Sequence, residues 1–357
     1  MDPRSNDATE MMGQSPAQAS RDHIRSASEL GGQTRLIREK KRAFEVKNGK
    51  YQSSDSMRIA LATSKDWPDL TPDDQALLRP LAERGFKVES AVWSDPNYPW
   101  QDCDVVVIRS CWDYHLLHEE FLRWIASLES SGCNLWNPPA VIRWNADKSY
   151  LRSLDDRGIP IVPTLWCEPG DTQTLTAALR DTGWDKAVVK PRISATAHRT
   201  QLVDAKNAES EQDLFEELMA GPGVMVQKFM DNIVTAGEWS LMFFGGQFSH
   251  AVLKTPKPGD FRVQSDFGGR SLAADPPAPV LECATRAVQA VPPTLYARVD
   301  GIIDRVDSQD QFRIMELELI EPALFLTSHR AAADRFADAI VAAAGSGIRS
   351  SRPALRS

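Results

Sequence analysis

Residues 313–322 read Arg-Ile-Met-Glu-Leu-Glu-Leu-Ile-Glu-Pro, acidic and bulky apolar side chains alternating until a proline ends the run. A period of two is the strand repeat, so Glu316 and Glu318 share one face and the apolar residues the other. Two carboxylates a pleat apart are costly unless a cation lies on them, and they offer the oxygen ligands taken by a hard divalent ion such as magnesium. An edge strand with a solvated acidic face has the same pattern, and the segment alone leaves both readings open.

Composition narrows the class. The 357 residues, 42% hydrophobic, suffice for one large or two to three small domains with a real core. A formal charge of −8 means that nucleic-acid binding would need a local basic patch, and the body of the chain carries none. Cys103, Cys111, Cys133, Cys167 and Cys283 lack metal-ligand spacing, and their odd number suits reduced thiols in the cytoplasm. No apolar run is long enough to span a bilayer, and the N-terminus lacks the apolar core of a signal peptide.

Residues 1–56, rich in Ser, Gln, Asp, Arg and Lys, are expected to form a disordered extension whose basic cluster at Arg38–Arg42 is either a solvated tail or an arm for an acidic partner. Strands at 58–63, 86–92 and 104–109, with a helix over 73–84 closed by Gly85, predict a β-α-β domain over 57–145. The near-continuous apolar run in 104–109 is the kind covered on both faces of a parallel sheet. A helix at 147–157, strands at 187–190 and 224–227 and a helix at 211–219 predict a small central domain, 146–230. Strands at 239–244, 248–254, 296–303 and 312–320 and a helix at 329–344 predict a third domain, 231–345, before a tail at 346–357. The class is α/β (α+β).

Several candidates for chemistry lie along this frame. Lys148 follows Asp147 at a helix start and Lys190 ends a strand before Pro191; each alone is equally a surface lysine, but together they suit a polyphosphate. The loop Arg192–Thr200, with Ser194, is either an ordinary polar loop or an anion-binding flap of backbone N–H and hydroxyl groups. Gln227, Lys228 and Phe229 end a strand where main chain can read an adenine edge. Glu238 opens one strand and Lys254 ends the next, while Arg262 and the turn Gly268–Gly269 offer a fork for anions and a close backbone approach, or plain hairpin chemistry. Asp300, isolated in an apolar strand, needs a partner that Glu316, Glu318 and a cation would supply. Arg109, Trp112, Asp113 and Tyr114 follow the third strand at its carboxyl end, where ligands bind in open parallel sheets; Arg109 pairs a substrate carboxylate or bridges domains.

The order Lys148, Val189-Lys190-Pro191, Gln227-Lys228-Phe229, Gly237-Glu238, Lys254, Gly259-Asp260-Phe261-Arg262, Gly268-Gly269, Val299-Asp300 and Met315-Glu316-Leu317-Glu318 resembles the ATP-grasp superfamily, which includes glutathione synthetase and D-alanine:D-alanine ligase. The resemblance runs from Met57 to about residue 345. Within it, the segments Arg109–Tyr114, Trp144–Lys148, Ser249–Val252 and Glu318-Leu319-Ile320-Glu321-Pro322 are most similar to the O-ureido-D-serine cyclo-ligases of cycloserine biosynthesis.

The resemblance implies an ATP-grasp fold: a Rossmann-like pre-ATP-grasp domain, a central lid and a C-terminal catalytic domain. It implies ATP phosphates on Lys148 and Lys190, with Ser194, Gly268 and Gly269 also on the nucleotide, adenine by Gln227, Lys228 and Phe229, and ribose near Glu238. Asp300, Glu316 and Glu318 would bind one or two magnesium ions, and many members have asparagine where this chain has Glu318. Lys254 and Arg262 would stabilise the transferring phosphoryl group, and Arg109, Trp112, Asp113, Tyr114 and Glu321 would face a small amino-acid-like substrate. The implied chemistry is activation of a carboxylate as an acyl-phosphate, then displacement of phosphate by a nitrogen of the same molecule or of a second one. A nucleotide-binding protein without ligase activity would show a gap in the lysine or carboxylate set, and none is present. A homo-oligomer, dimer or tetramer, stays open.

Overall fold

In the computed structural model, which describes residues 46–47, 50–51, 56–264, 267–306 and 309–345, three sheets follow one another between residues 58 and 318. Before them Val46–Lys47 (β1) pairs antiparallel with Lys50–Tyr51 (β2). The rest of the expected extension, with its basic cluster, and the tail at 346–357 lie outside the described residues. No helix among those described is long and apolar enough to cross a membrane.

The first sheet is parallel, in the order β4 (Lys87–Val92), β3 (Arg58–Thr63), β5 (Val105–Ile108), β6 (Asn134–Trp136). β5 is buried along its whole length, as expected for a parallel strand covered on both faces. The helix expected over 73–84 is two short ones, α1 (Pro72–Gln75) and α2 (Leu78–Glu83). Pro80 lacks the N–H that would carry the ladder back to residue 76, so the chain turns there instead. α3 (His118–Ser131), which the sequence reading passed over, sets Phe121, Trp124, Ile125 and Leu128 on one face against this sheet and ends at Gly132 with φ 74°. Pro139–Asn145 (α4) and Tyr150–Asp155 (α5) lead out of this layer.

The second sheet is antiparallel, in the order β7 (Thr164–Cys167), β10 (Val224–Lys228), β8 (Lys186–Pro191), β9 (Gln201–Asp204). α6 (Leu175–Thr182) and α7 (Gln212–Met219) cover one face, where Leu179, Phe215 and Leu218 meet Ala187, Val189, Val224 and Val226. Strand alternation sends Val188, Lys190 and Gln227 to the opposite face, which lines a cavity.

The third sheet follows the short helix α8 (Asn232–Thr235) and runs β13 (Arg270–Ala273), β12 (Gln247–Thr255), β11 (Glu238–Phe244), β14 (Tyr296–Val306), β15 (Gln309–Glu318), all antiparallel. α9 (Ala278–Gln289) buries Val280, Cys283, Ala284, Ala287 and Val288 against Leu241, Phe243, Ala297, Val299 and Leu317. The alternate residues of the same strands, Glu238, Arg298, Asp300, Glu316 and Glu318, face the cavity. α10 (Ala332–Gly345) closes the described chain, with Phe336 stacked on Phe244 at 4.6 Å.

The alternation expected in 313–322 breaks at one residue. Asp300 pairs with Glu316 but Gly301 pairs with Ile314, so Met315 is the extra residue of a β-bulge. Met315 therefore turns to the same side as Glu316 and packs with Phe229 and Val188 at the apolar end of the cavity. Gly301 makes room for this: a Cβ there would lie 2.5 Å from the Arg313 carbonyl oxygen and against the Phe312 ring.

Candidate active site

The inner faces of the second and third sheets enclose a cavity of about 310 Å³, within the size range of small-molecule sites. Its apolar end is built from Phe229, Met230, Ile233, Phe261 and Met315, with Phe261 edge-on to Phe229 at 5.9 Å. Gln227 points into this end and donates to Thr164 Oγ1 at 3.2 Å. Next come the cations. Lys190, 6% exposed, donates to Glu316 Oε1 at 3.2 Å, and Lys148 lies 3.7 Å from the same oxygen while its Nζ donates to the Ser194 carbonyl. Arg192 clamps the base of the loop bearing Ser194 by forking onto Asp147 at 3.0 and 2.7 Å and reaching Glu168 at 2.6 Å.

The carboxylates occupy the middle of the cavity. Oxygen atoms of Asp300, Glu316 and Glu318 all lie within 4.8 Å of one another. Arg298, beside Asp300 on the same face of β14, donates to Asp300 at 2.9 to 3.1 Å and also bonds Glu318. Lys254 pairs with Glu238 and lies 3.4 Å from Asp300, which Ser240 also hydrogen-bonds. Burial opposes charge on Asp300, but Arg298 and then Lys254 outweigh it and bring its pKa to about 2. Glu316 likewise falls to about 2, where burial is overcome by Lys148 and Lys190. Glu318 behaves oppositely: burial, with Asp300 and Glu316 beside it, outweighs Arg298 and pushes it up to about 7. A trio in which the third member resists ionisation fits a divalent cation, because one would hold all three ionised, and each carboxylate has lone pairs for both its cationic side-chain partner and a metal.

Of the residues singled out in the sequence, Trp112, Tyr114, Lys148, Lys190, Ser194, Gln227, Lys228, Phe229, Glu238, Lys254, Arg262, Asp300, Glu316, Glu318 and Glu321 line this one cavity. Arg262 does so while forked onto Asp260 at 3.0 and 2.7 Å and stacked 3.7 Å over the Phe267 ring, so its guanidinium is already engaged. Others lie elsewhere. Gly268 and Gly269 are not in the lining: the Gly269 N–H closes the loop onto the Gln264 carbonyl, and a Cβ on Gly269 would collide with Val263. Asp113 accepts from the Trp93 indole at 2.7 Å, outside the cavity. Arg109 is 1% exposed and cannot meet a substrate carboxylate, because it is spent on Asp74 at 2.8 Å and on the Pro322 carbonyl at 2.7 Å. Arg298 was missed by the sequence reading; its signal was the i, i+2 spacing to Asp300, which puts both on one strand face.

Beyond β15 the chain has no regular partner strand among the described residues, yet each backbone carbonyl from Leu319 to Phe325 is held by a side chain from another part of the protein. Asn137 donates to Leu319 O at 2.7 Å, Tyr296 to Ile320 O at 2.7 Å and the Trp112 indole to Glu321 O at 3.0 Å. Arg109 and Arg298 hold the oxygens of Pro322 and Ala323, and His250 Nε2 lies 2.9 and 3.1 Å from those of Leu324 and Phe325. Buried carbonyls outside a sheet must be satisfied in some such way, and the result is an irregular segment held as firmly as a strand. It carries Glu321 and Phe325 into the cavity.

Two facing antiparallel sheets with lysines and a carboxylate trio between them define the ATP-grasp class. Residues 59–137 match the family model of the N-terminal domain of D-cycloserine synthetase DcsG. The cycloserine biosynthesis protein DcsG of Streptomyces lavendulae is 30% identical over 293 residues, covering 79% of this chain and 97% of DcsG. The crystal structure of D-cycloserine synthetase DcsG superposes with a TM-score of 0.71 at 28% identity, over 80% of this chain and 99% of that one. More distant folds of the class include D-alanine–D-alanine ligase from Bacillus anthracis complexed with ATP (TM-score 0.58, 17% identity, 81% of this chain and 97% of that one). The ATP-grasp ligase PsnB, solved with Mg and ADP, is another (TM-score 0.54, 18% identity, 82% and 99%). The chain belongs to the DcsG family of ATP-grasp ligases, and it is an ATP-dependent ligase.

Proposed function

We propose that this ligase activates the carboxylate of an O-ureido-D-serine-like amino acid with ATP and closes it to a D-cycloserine-type ring. The observation that supports this reading is the likeness to DcsG, which extends over 97% of that protein. The apolar end at Phe229 and Met315 takes the adenine, Lys148, Lys190 and the Ser194 loop take the phosphates, and Glu238 lies by the ribose. Asp300, Glu316 and Glu318 would hold magnesium, which would supply positive charge against the phosphates. The substrate carboxylate attacks the γ-phosphorus, the bond to the ADP oxygen breaks, and an acyl-phosphate results. Lys254 and Arg298 adjoin Asp300 and Lys190 adjoins Glu316, and together they would stabilise the charge that develops on the transferring group without a covalent protein intermediate. The substrate nitrogen bound to oxygen then attacks the acyl carbon, phosphate leaves, and the carbamoyl group is lost to water. With residues 146–230 acting as lid, the Ser194 loop keeps water from the acyl-phosphate. We place the reaction in the cytoplasm.

Phosphate release from ATP and magnesium, measured with O-ureido-D-serine alone, tests the reading. Formation of a cyclic product with no second amine is expected, and Lys190→Ala or Glu316→Ala should lower turnover by about 100-fold or more. Release that requires a separate amine would instead assign an intermolecular ligase, and full turnover in both variants would refute the site.

A further inference from the structure

We propose that Glu321 is the subsite for the substrate's ammonium group, so that the ligase selects α-amino acids over the corresponding simple carboxylic acids. The proposal rests on the function just given and names a specificity determinant within it. Every other carboxylate facing the cavity has a cationic partner: Glu238 has Lys254, Asp300 and Glu318 have Arg298, and Glu316 has Lys148 and Lys190. Glu321, only 8% exposed and lining the same cavity, receives no side-chain hydrogen bond and no ion pair among the described residues. Burial and then Glu318 push it up to about 8, against the smaller opposing pull of Lys148 and Arg298. A largely buried carboxylate whose one hydrogen-bond donor among the described residues is its own backbone N–H is costly to keep charged, and a cationic ligand group offsets that cost.

Its place in the cavity says which group arrives. Along β15 and its extension, Met315 joins the apolar cluster, Glu316 and Glu318 belong to the carboxylate trio, and Glu321 follows on the segment whose carbonyl the Trp112 indole holds, with Trp112, Tyr114 and Phe325 also lining the cavity. An amino acid whose carboxylate meets the γ-phosphate above the carboxylate trio extends its remaining groups towards Glu321, and aromatic walls favour a cation over a neutral group there. Glu321 stands apart from the trio whose oxygens approach one another. The backbone that presents it is fixed on either side by Tyr296, Trp112 and Arg109, so the carboxylate is pre-positioned rather than recruited.

Calorimetric titration in the presence of ADP and magnesium tests this, with O-ureido-D-serine and its deamino counterpart, 3-(ureidooxy)propanoate, as probes of wild type and Glu321→Gln. Wild type should bind the amino ligand about 30-fold or more tightly than the deamino one. In Glu321→Gln the ratio should fall to about threefold, through weaker binding of the amino ligand alone, with ADP affinity unchanged. A wild-type ratio below about threefold, which needs no variant to measure, or an undiminished ratio in Glu321→Gln, overturns the proposal. Turnover is read separately: discrimination without ring formation supports the subsite while refuting the cyclisation.

Discussion

Replacing Arg109 by methionine should damage the fold rather than substrate binding, and the size of the effect follows from its surroundings. The guanidinium is 1% exposed and lies 5.3 Å from the Tyr296 ring and 5.6 Å from that of Phe336. Methionine occupies much of the same volume, so the loss is mainly electrostatic. Asp74, 3% exposed, would keep the hydroxyls of Thr71 and Ser110 but lose its counter-ion. Removing one partner of such a buried pair costs about 3–5 kcal/mol, and the orphaned Pro322 carbonyl adds about 1 kcal/mol. The sum, about 4–6 kcal/mol, is a large part of a typical domain's stability. Asp74→Asn in the same chain neutralises the stranded charge while leaving an acceptor for both hydroxyls, so the double variant should recover about 2 kcal/mol. Urea unfolding with matched m-values measures both. A loss under about 1 kcal/mol in the single variant, or a double variant no more stable than the single, would refute the reasoning. An arginine that bound substrate would show the reverse split, an unchanged midpoint and a raised KM.

Two further outcomes follow from the segment and the bulge. His250, 4% exposed, has its pKa lowered to about 4, chiefly by burial, against the pull of the Leu324 and Phe325 carbonyls. A folded value below the unfolded one of about 6.5 means that its contribution is present above pH 6.5 and is lost as pH falls towards 4, by on the order of 3 kcal/mol. His250→Gln should therefore flatten the stability profile between pH 6.5 and 4, and an unchanged slope in chemical unfolding would count against the neutral imidazole. Gly301→Ala forces a methyl against Phe312 and the Arg313 carbonyl and should cost about 1–3 kcal/mol in thermal or urea unfolding. It should also weaken nucleotide binding, since the bulge aims Met315; wild-type ADP affinity would show that the bulge has no such role.

Much of the catalytic face was legible because strand periodicity is local. The alternation in 313–322 placed Glu316 and Glu318 together, and Asp300 announced itself as a charge without an obvious partner in an apolar strand. What escaped the reading depends on neighbours. The bulge at Met315 exists only in the pairing of β14 with β15, and no pattern within either strand displays it. Arg109, at the carboxyl end of a strand, could equally pair a substrate or bridge domains on sequence grounds, and its partners turn out to be Asp74 and the Pro322 carbonyl, far away in sequence. α9 was missed although Val280, Cys283, Ala284, Ala287 and Val288 have helical spacing, because alanine and cysteine give a weak apolar stripe. The carbonyl anchors of 319–325 could not be read at all, since each joins two segments that sequence alone does not bring together.

Those anchors grip main-chain oxygens, and main-chain oxygens are the same whatever residue is encoded. The path of the chain through position 321 is thus set by Tyr296, Trp112 and Arg109 and is indifferent to the side chain it displays. A substitution at position 321 therefore changes the side chain facing the cavity without removing any of the hydrogen bonds that set the backbone there.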